Sequence, residues 1–400
     1  MCSIRLPEVM RVVHVCAYFA PAFVYGGPPR SILALCRAQR DAGVDVRVVT
    51  TTANGDGELT HEVTSRGDYN GIPVHYCGRA WPRSIFYAPS LASILATELG
   101  DDAVLHIHGL WNATVWSAAA AARQQQRPYV LSPRGMLAPA ALAHDGWRKR
   151  LVYPLADRRV IRDAARLHAT SRVEFDELTR LTDGNRVVYV PNGVDLPGAH
   201  DGDEHAARAH FGLPAAAPIV LFLGRIHPIK RLDLLAAAFA RVLQRHAGAH
   251  LVIAGPDEDG HRAQIAPLFT RLGDAVTWTG RVDGERKRQL LNAATVLVMC
   301  SDSESFGMSV AEAMAAAKPV VVTRTCPWSD IESHQAGCWI EQSPDAVAAG
   351  LNAILSDPDA AREMGRRGRA LAAAEYSWTR AASTLISEYE AIAADTVQVV

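Results

Sequence analysis

Short apolar runs rich in β-branched residues alternate with Ala-rich amphipathic stretches along the chain. In the first half, 11–19, 44–51, 72–76, 104–108, 128–131, 166–171 and 186–190 read as strands. In the second half, 218–223, 250–254, 276–279, 295–299 and 319–323 do the same. Helices are expected at 31–42, closed by Gly43, and at 89–99, 204–211, 232–246, 308–317 and 379–394. Strands followed by helices give an α/β fold class built on parallel sheets. Residues 52–70 are polar with several glycines and read as a loop or lid. Residues 196–217 are rich in Pro, Gly, Asp, His and Ala with no strand pattern, and read as a linker. The expected domains are therefore 1–195 and 218–376, with a last segment 377–400 that is mostly helix.

The most informative stretch is Ser301-Asp302-Ser303-Glu304-Ser305-Phe306-Gly307, between the run 295–299 and the helix at 308–317. It is a loop at the carboxyl end of a parallel strand, where open α/β sheets take ligands. Ser305, Phe306 and Gly307 would present backbone N–H groups at a helix N-terminus, which attracts phosphate oxygens, and Gly307 permits close approach. Glu304 and Glu312 bracket this N-terminus, as holders of sugar hydroxyls or as ordinary glutamates complementing the helix dipole. In the loop after 218–223, Arg225 and Lys230 can grip a diphosphate from two sides, or form a basic loop before an Ala-rich helix. Arg231 is the alternative to Lys230.

Gly26-Gly27, after the first strand, either brings N–H groups to a phosphate or makes a flexible turn, and Arg30 beside it is a phosphate contact or a solvated helix-start arginine. No G-x-G-x-x-G stands there, which counts against a dinucleotide dehydrogenase. His106 and His108 share one strand face. A metal site needs a third ligand, none lies nearby in sequence, and no metal is expected. His108 ends its strand at the ligand edge, and His106 reads as structural. The pairs Asp201/Asp203 and Asp257/Asp259 lie in glycine-containing loops and read as turns rather than as the acidic pair of a metal-dependent sugar transferase.

At 400 residues the chain suits two domains. An apolar fraction of 49%, a charged fraction of 21% and a net charge of −1 describe a soluble globular protein and argue against nucleic acid as the main partner. Seven cysteines, with no C-x-x-C pair, suggest buried thiols in a reducing compartment. With no 18-residue apolar run and no signal-peptide pattern, a cytoplasmic location is expected. Residues 147–168 carry seven Lys and Arg against two Asp, interleaved with apolar positions. They read either as a surface for anionic lipid headgroups, at roughly 1 kcal/mol per basic residue, or as a solvated basic face packing its apolar stripe on the core.

The pattern Glu304-x-Phe306-Gly307, four residues, Glu312-Ala313-Met314, then Lys318-Pro319-Val320-Val321, resembles the E-x7-E motif of the retaining family 4 glycosyltransferases. Gly224-Arg225-x4-Lys230-x-Leu232-Asp233-x-Leu235 carries the same resemblance, and 132–137 (SPRGML) resembles members that build bacterial surface polysaccharides. The resemblance implies a GT-B fold, two Rossmann-like domains facing across a cleft, with the last helix crossing back to the first domain. It implies a retaining, metal-independent transfer of a hexosyl unit from a nucleotide-diphosphate sugar to a glycan or lipid-linked acceptor, with no cofactor. Arg225 and Lys230 would take the leaving nucleoside diphosphate, Glu304 and His108 the sugar, Glu312 the ribose, and backbone atoms around Val282 the base. Gly26 and Gly27 would approach the diphosphate, with Arg30 and Arg134 on the acceptor side. A GT-B-fold nucleotide-sugar epimerase and a non-catalytic nucleotide-sugar-binding subunit remain as alternatives. A peripheral contact of 147–168 with the inner face of a membrane would follow from a lipid-linked acceptor.

Overall fold

The computed structural model describes residues 10–100, 103–137, 156–182, 184–196, 204–257 and 260–397. They fall into two compact units, Met1–Gly193 with Trp378–Val400, and Val194–Ser377.

In the first unit, chain order runs β1 (Arg11–Cys16), α1 (Gly27–Asp41), β2 (Asp45–Thr51), β3 (Ala53–Asn54), β4 (Gly57–Glu58), α2 (His61–Thr64), β5 (Asp68–Tyr69), β6 (Ile72–Cys77) and α3 (Leu91–Glu98). It continues with β7 (Ala103–His108), α4 (Ala113–Gln124), β8 (Tyr129–Ser132), α5 (Arg158–Asp163), β9 (Arg166–Ala169), α6 (Arg172–Leu181) and β10 (Val187–Tyr189). The sheet order is β10-β9-β8-β7-β1-β2-β6-β5, parallel except for the β5–β6 pair at the edge. The winding reverses between β1 and β7, which run in register from Arg11 opposite Ala103 to Cys16 opposite His108.

The second unit holds α7 (Glu204–Phe211), β11 (Ile219–Leu223), α8 (Leu232–Arg245), β12 (His250–Ala254), α9 (His261–Thr270), β13 (Val276–Gly280), α10 (Gly284–Ala293), β14 (Val296–Met299) and α11 (Met308–Ala315). After these come β15 (Val320–Thr323), α12 (Asp330–Ser333), β16 (Gly337–Ile340), α13 (Pro344–Ser356) and α14 (Pro358–Glu375). The order β13-β12-β11-β14-β15-β16 is all parallel. It is the doubly wound Rossmann order, reversing between β11 and β14, and ligands bind at such a reversal.

The final helix, α15 (Trp378–Val397), belongs to the first unit. Leu385, Tyr389 and Ile392 recur at helical spacing and are buried in one cluster with Val12, Ile32, Leu35 and Cys36. Each such burial stabilises by about 1.5–3 kcal/mol. Gly193 is the close approach at this return, since a Cβ there would sit 2.4 Å from the Trp378 nitrogen.

Several expected bounds shift. The first strand stops at Cys16 rather than 19. The first helix starts four residues early, at Gly27, because Pro28 and Pro29 occupy the first turn, where no N–H is needed. The stretch 52–70 is not a plain loop; it contains β3, β4, α2 and β5. Of the basic segment 147–168, residues 147–155 lie outside the described residues. In the described part, α5 exposes Arg158, Arg159 and Arg162 and buries Val160 and Ile161. Asp163 pairs with Arg162 at 2.9 Å and with Arg159 at 3.4 Å, the arrangement of a solvated face over a core stripe. Asp201, Asp203 and Asp259 also lie outside the described residues, as does Cys2. The six described cysteines are free thiols, and burial pushes Cys16 up to about 12. Among the described residues, no helix is long and apolar enough to cross a membrane.

Candidate active site

In the second unit the loops that follow β11 and β14 lie side by side on the carboxyl edge, because their strands are neighbours at the reversal. The backbone ties them together: the Asp302 N–H donates to the Ile229 carbonyl at 2.8 Å. Side chains reinforce the tie. Lys230 Nζ is hydrogen-bonded to Glu304 Oε1, and Ser301 Oγ donates to the same oxygen at 2.8 Å. Arg231 donates to Asp302 at 3.0 Å. Its partners Asp233 and Asp302 hold its guanidinium pKa above the usual value, and Arg231 in turn lowers that of Asp233. This occupies Arg231 structurally and leaves Lys230 as the cation on Glu304. Thr325 Oγ1, from the loop after β15, donates to the Ser301 carbonyl at 2.5 Å and fixes the base of the loop.

Gly307 is the N-cap of α11, with φ +86 and no side-chain cap on the helix. A Cβ at this position would lie 2.9 Å from Trp328 Nε1 and 3.3 Å from Met299 Sδ. Both the left-handed backbone and the crowding require glycine, so the first turn of α11 meets the loop without a side chain in between. The Phe306 side chain is core, with its ring 5.0 Å from that of Trp328 and 5.8 Å from that of Tyr376. Phe306 can therefore serve a ligand only through its backbone, as Ser305 beside it can. Arg225 is exposed immediately after β11. Glu312, on α11, pairs with Lys287 of α10 at 2.7 Å. Val282 is buried at the start of the turn into α10. Lys287 and Thr325, which touch Glu312 and Ser301, are contacts that no motif singles out, since they come from the neighbouring βα units.

In the first unit, Gly26 is the N-cap of α1 and Gly27 its first residue. Arg30 lies over the Phe23 ring, 4.3 Å from its centroid. Phe23 and Gly26 lie on the loop between β1 and α1, and Gly27 and Arg30 on the first turn of α1, at the reversal point of that sheet. Cys16, Tyr18, Pro28, His108, Asn112 and Arg134 line a cavity of about 40 Å³ there. Arg134 is buried; its Nη1 donates to Asn192 Oδ1 at 2.8 Å and its Nη2 lies 3.1 Å from His108 Nδ1.

His108 differs from the expectation of a direct sugar contact. Its Nε2 is bonded to His14 Nδ1 at 2.9 Å and its Nδ1 faces Arg134, so both ring nitrogens are engaged. The expected lack of a third imidazole is also corrected: His14, His106 and His108 have nitrogens within 4.8 Å of one another. More than ninety residues of sequence separate His14 from the others, but β1 and β7 are neighbouring strands. These nitrogens are already paired by hydrogen bonds, and a guanidinium stands against His108. The group is accounted for as a polar cluster. Burial, with the charge of Arg134 adding to it, lowers His14 to about 4 and His168 to about 3, and holds His106 and His108 well below the usual range.

Residues 203–371 match the family described as glycosyl transferases group 1, and residues 26–193 the family described as glycosyl transferase 4-like domain. A D-inositol 3-phosphate glycosyltransferase of Nocardia farcinica is 33% identical over 63% of this chain and 58% of its own length. A D-inositol 3-phosphate glycosyltransferase 2 of Catenulispora acidiphila is 28% identical over 91% of this chain and 90% of its own. The chain thus spans little more than half of the first relative. Among solved structures, Anabaena HepE in complex with UDP and glucose superposes with a TM-score of 0.74 at 18% identity, covering 96% of this chain and 100% of that one. Sucrose-phosphate synthase from Thermosynechococcus elongatus gives 0.73 at 22% identity, with 96% and 100% covered. With each half matched to a glycosyltransferase family and each sheet wound around its own reversal point, the chain belongs to the GT-B glycosyltransferases of the family 4 type.

Proposed function

We propose that this glycosyltransferase moves a hexosyl unit from a nucleotide-diphosphate sugar to a hydroxyl acceptor with retention of configuration, and that it needs no metal ion. The observation that carries the reading is the joined pair of loops at the β11/β14 reversal, with Lys230 on Glu304 beside the uncapped first turn of α11. In the donor complex the diphosphate takes the ammonium of Lys230, the exposed guanidinium of Arg225 and the N–H groups of residues 305–307. Glu304, released from Lys230, accepts hydrogen bonds from the sugar hydroxyls, and Glu312 from the ribose, with Val282 near the base. As the bond from the anomeric carbon to the phosphate oxygen breaks, these preorganised charges stabilise the forming phosphate dianion. The acceptor oxygen bonds to the anomeric carbon on the same face, and its proton passes to a phosphate oxygen.

For the acceptor, the names of the relatives favour D-inositol 3-phosphate or a related phosphorylated polyol, read by the basic groups Arg30 and Arg134. A glycan or lipid-linked acceptor of bacterial surface polysaccharide is the second reading, favoured by the stretch 132–137. UDP is the first donor nucleotide to try, because fold neighbours were solved with UDP, UDP-glucose and UDP-2-fluoro glucose. A thermal-shift panel of UDP-, GDP-, ADP- and dTDP-sugars, followed by transfer assays with inositol 3-phosphate and with lipid-linked glycans, tests donor and acceptor together. Arg225→Ala is expected to weaken nucleoside diphosphate binding about tenfold, as measured by calorimetry, with an unchanged melting temperature. Activity should survive EDTA; loss that manganese restores would overturn the metal-free part. Donor consumed at the full rate without acceptor would favour an epimerase.

A further inference from the structure

The buried polar groups of the first unit form one continuous chain. Arg134 Nη2 meets His108 Nδ1 at 3.1 Å, and His108 Nε2 meets His14 Nδ1 at 2.9 Å. His14 Nε2 lies 2.7 Å from Gln39 Oε1, and Gln39 Nε2 donates to the Tyr389 hydroxyl at 3.0 Å. The hydroxyl lies 2.6 Å from His106 Nδ1, His106 Nε2 lies 3.3 Å from His168 Nδ1, and His168 Nε2 lies 2.8 Å from the Val190 carbonyl. Three strands (β1, β7 and β9), two helices (α1 and α15) and the loops after β8 and β10 contribute, and α15 closes the chain.

The two ends dictate where every proton sits. A guanidinium only donates and a carbonyl only accepts. His108 Nδ1 must therefore be bare, so Nε2 carries the proton and donates to His14 Nδ1. His14 then donates from Nε2 to the Gln39 carbonyl oxygen, and the Gln39 amide donates to Tyr389. Tyr389 donates to His106 Nδ1, His106 from Nε2 to His168, and His168 from Nε2 to Val190. Turning the Gln39 amide over would set donor against donor at Arg134 and acceptor against acceptor at Val190. All four imidazoles are thus neutral Nε2–H tautomers, and Gln39 divides the chain into a half that ends on Arg134 and a half that ends on Val190.

We propose that Gln39 is a positioning residue for Arg134: through His14 and His108 it fixes which imidazole nitrogen meets the guanidinium at the ligand edge of the first sheet. Tyr389 anchors the other half to α15 and has no part in that placement. The proposal rests on the reading of this edge as the acceptor side, but its first readout does not. In full-length ¹⁵N-labelled protein, long-range imidazole spectra should show His14, His106, His108 and His168 as Nε2–H tautomers, and the Arg134 Nε–H signal should be protected from exchange. A Nδ1–H tautomer at His108 in the wild-type protein overturns the proposal without any variant. Gln39→Met removes the acceptor for His14; it should mix the tautomers of His14 and His108 and speed exchange of the Arg134 signal at least fivefold. Tyr389→Phe should disturb His106 and His168 and leave Arg134 in place. An unmoved Arg134 in Gln39→Met, or equal movement in both variants, would refute directed positioning. With UDP-glucose and inositol 3-phosphate as probes, Gln39→Met should raise the acceptor KM about fivefold and leave the donor KM unchanged. Absence of transfer by the wild-type enzyme would count against the proposed acceptor, while the spectra would still decide the role of Gln39.

Discussion

Lys230→Ala is expected to lower kcat by about 10²–10³-fold, the usual loss when one preorganised charge-stabilising donor leaves a site. The same substitution carries a separate cost in stability. In the ligand-free protein Lys230 and Glu304 are mostly buried, with side chains 15% and 12% exposed. Removing the ammonium leaves Glu304 with Ser301 Oγ and a carboxylate charge in a crowded loop, at a cost of about 1–3 kcal/mol. Glu304→Ala should abolish transfer comparably but destabilise less, because the long stem of a lysine can carry its charge out to water. The double variant should then be more stable than the sum of the single losses, since neither charge is left alone. Steady-state kinetics and denaturant unfolding of the three variants check both parts. Full activity in Lys230→Ala would remove the residue from the site; strictly additive stabilities would mean that the ion pair is not coupled.

Acidification from about pH 6.5 to pH 4 should destabilise the first unit by about 3 kcal/mol through His14 alone. Its folded pKa is lowered from 6.5 to about 4, a difference worth 1.36 kcal/mol per unit. The unfolded chain binds the proton in this window and the folded chain does not, so acid favours unfolding. The stabilising contribution is complete above about 6.5 and is lost as pH falls through the folded value. His168, His106 and His108 are shifted in the same direction by the same cause, burial, and extend the loss. Carboxylates held low by arginines, such as Asp45 between Arg11 and Arg47, add theirs at lower pH. Because two units need not unfold together, the measurement is hydrogen exchange of the β1 and β7 amides between pH 6.5 and 4.5, corrected for intrinsic rates. Opening free energies that stay flat over that range would contradict four neutral buried imidazoles.

The two sites were legible to different degrees for physical reasons. The loop 301–307 could be read because its chemistry is contiguous: a strand, a carboxylate, a glycine and a helix start follow one another within a dozen residues. The grip of Lys230 on Glu304 could be anticipated only as a shared purpose, since the contact joins residues 74 apart. His108 shows the converse. Its place at the end of a strand was visible, but its partners His14 and Arg134 come from two other parts of the sheet, β1 and the loop after β8, so its engagement at both nitrogens was not. Lys287 opposite Glu312 was missed because it lies mid-helix among other charges with nothing local to mark it. Residues 337–375, to which the pattern assigns no element, carry β16, α13 and α14. The strand there is four half-buried residues, too short for a periodicity.

Alternating strand and helix patterns, the polar stretch between two such series, and the loops proposed to take phosphate follow from the sequence by itself, because hydrophobic period and helix-start chemistry are properties of neighbouring residues. Strand order was decided by the tertiary structure alone. That order puts β1 beside β7 and β11 beside β14, and so determines which loops meet, which cation faces which carboxylate and which buried histidines touch. Such pairings depend on how distant segments pack, and packing joins residues that no local pattern connects.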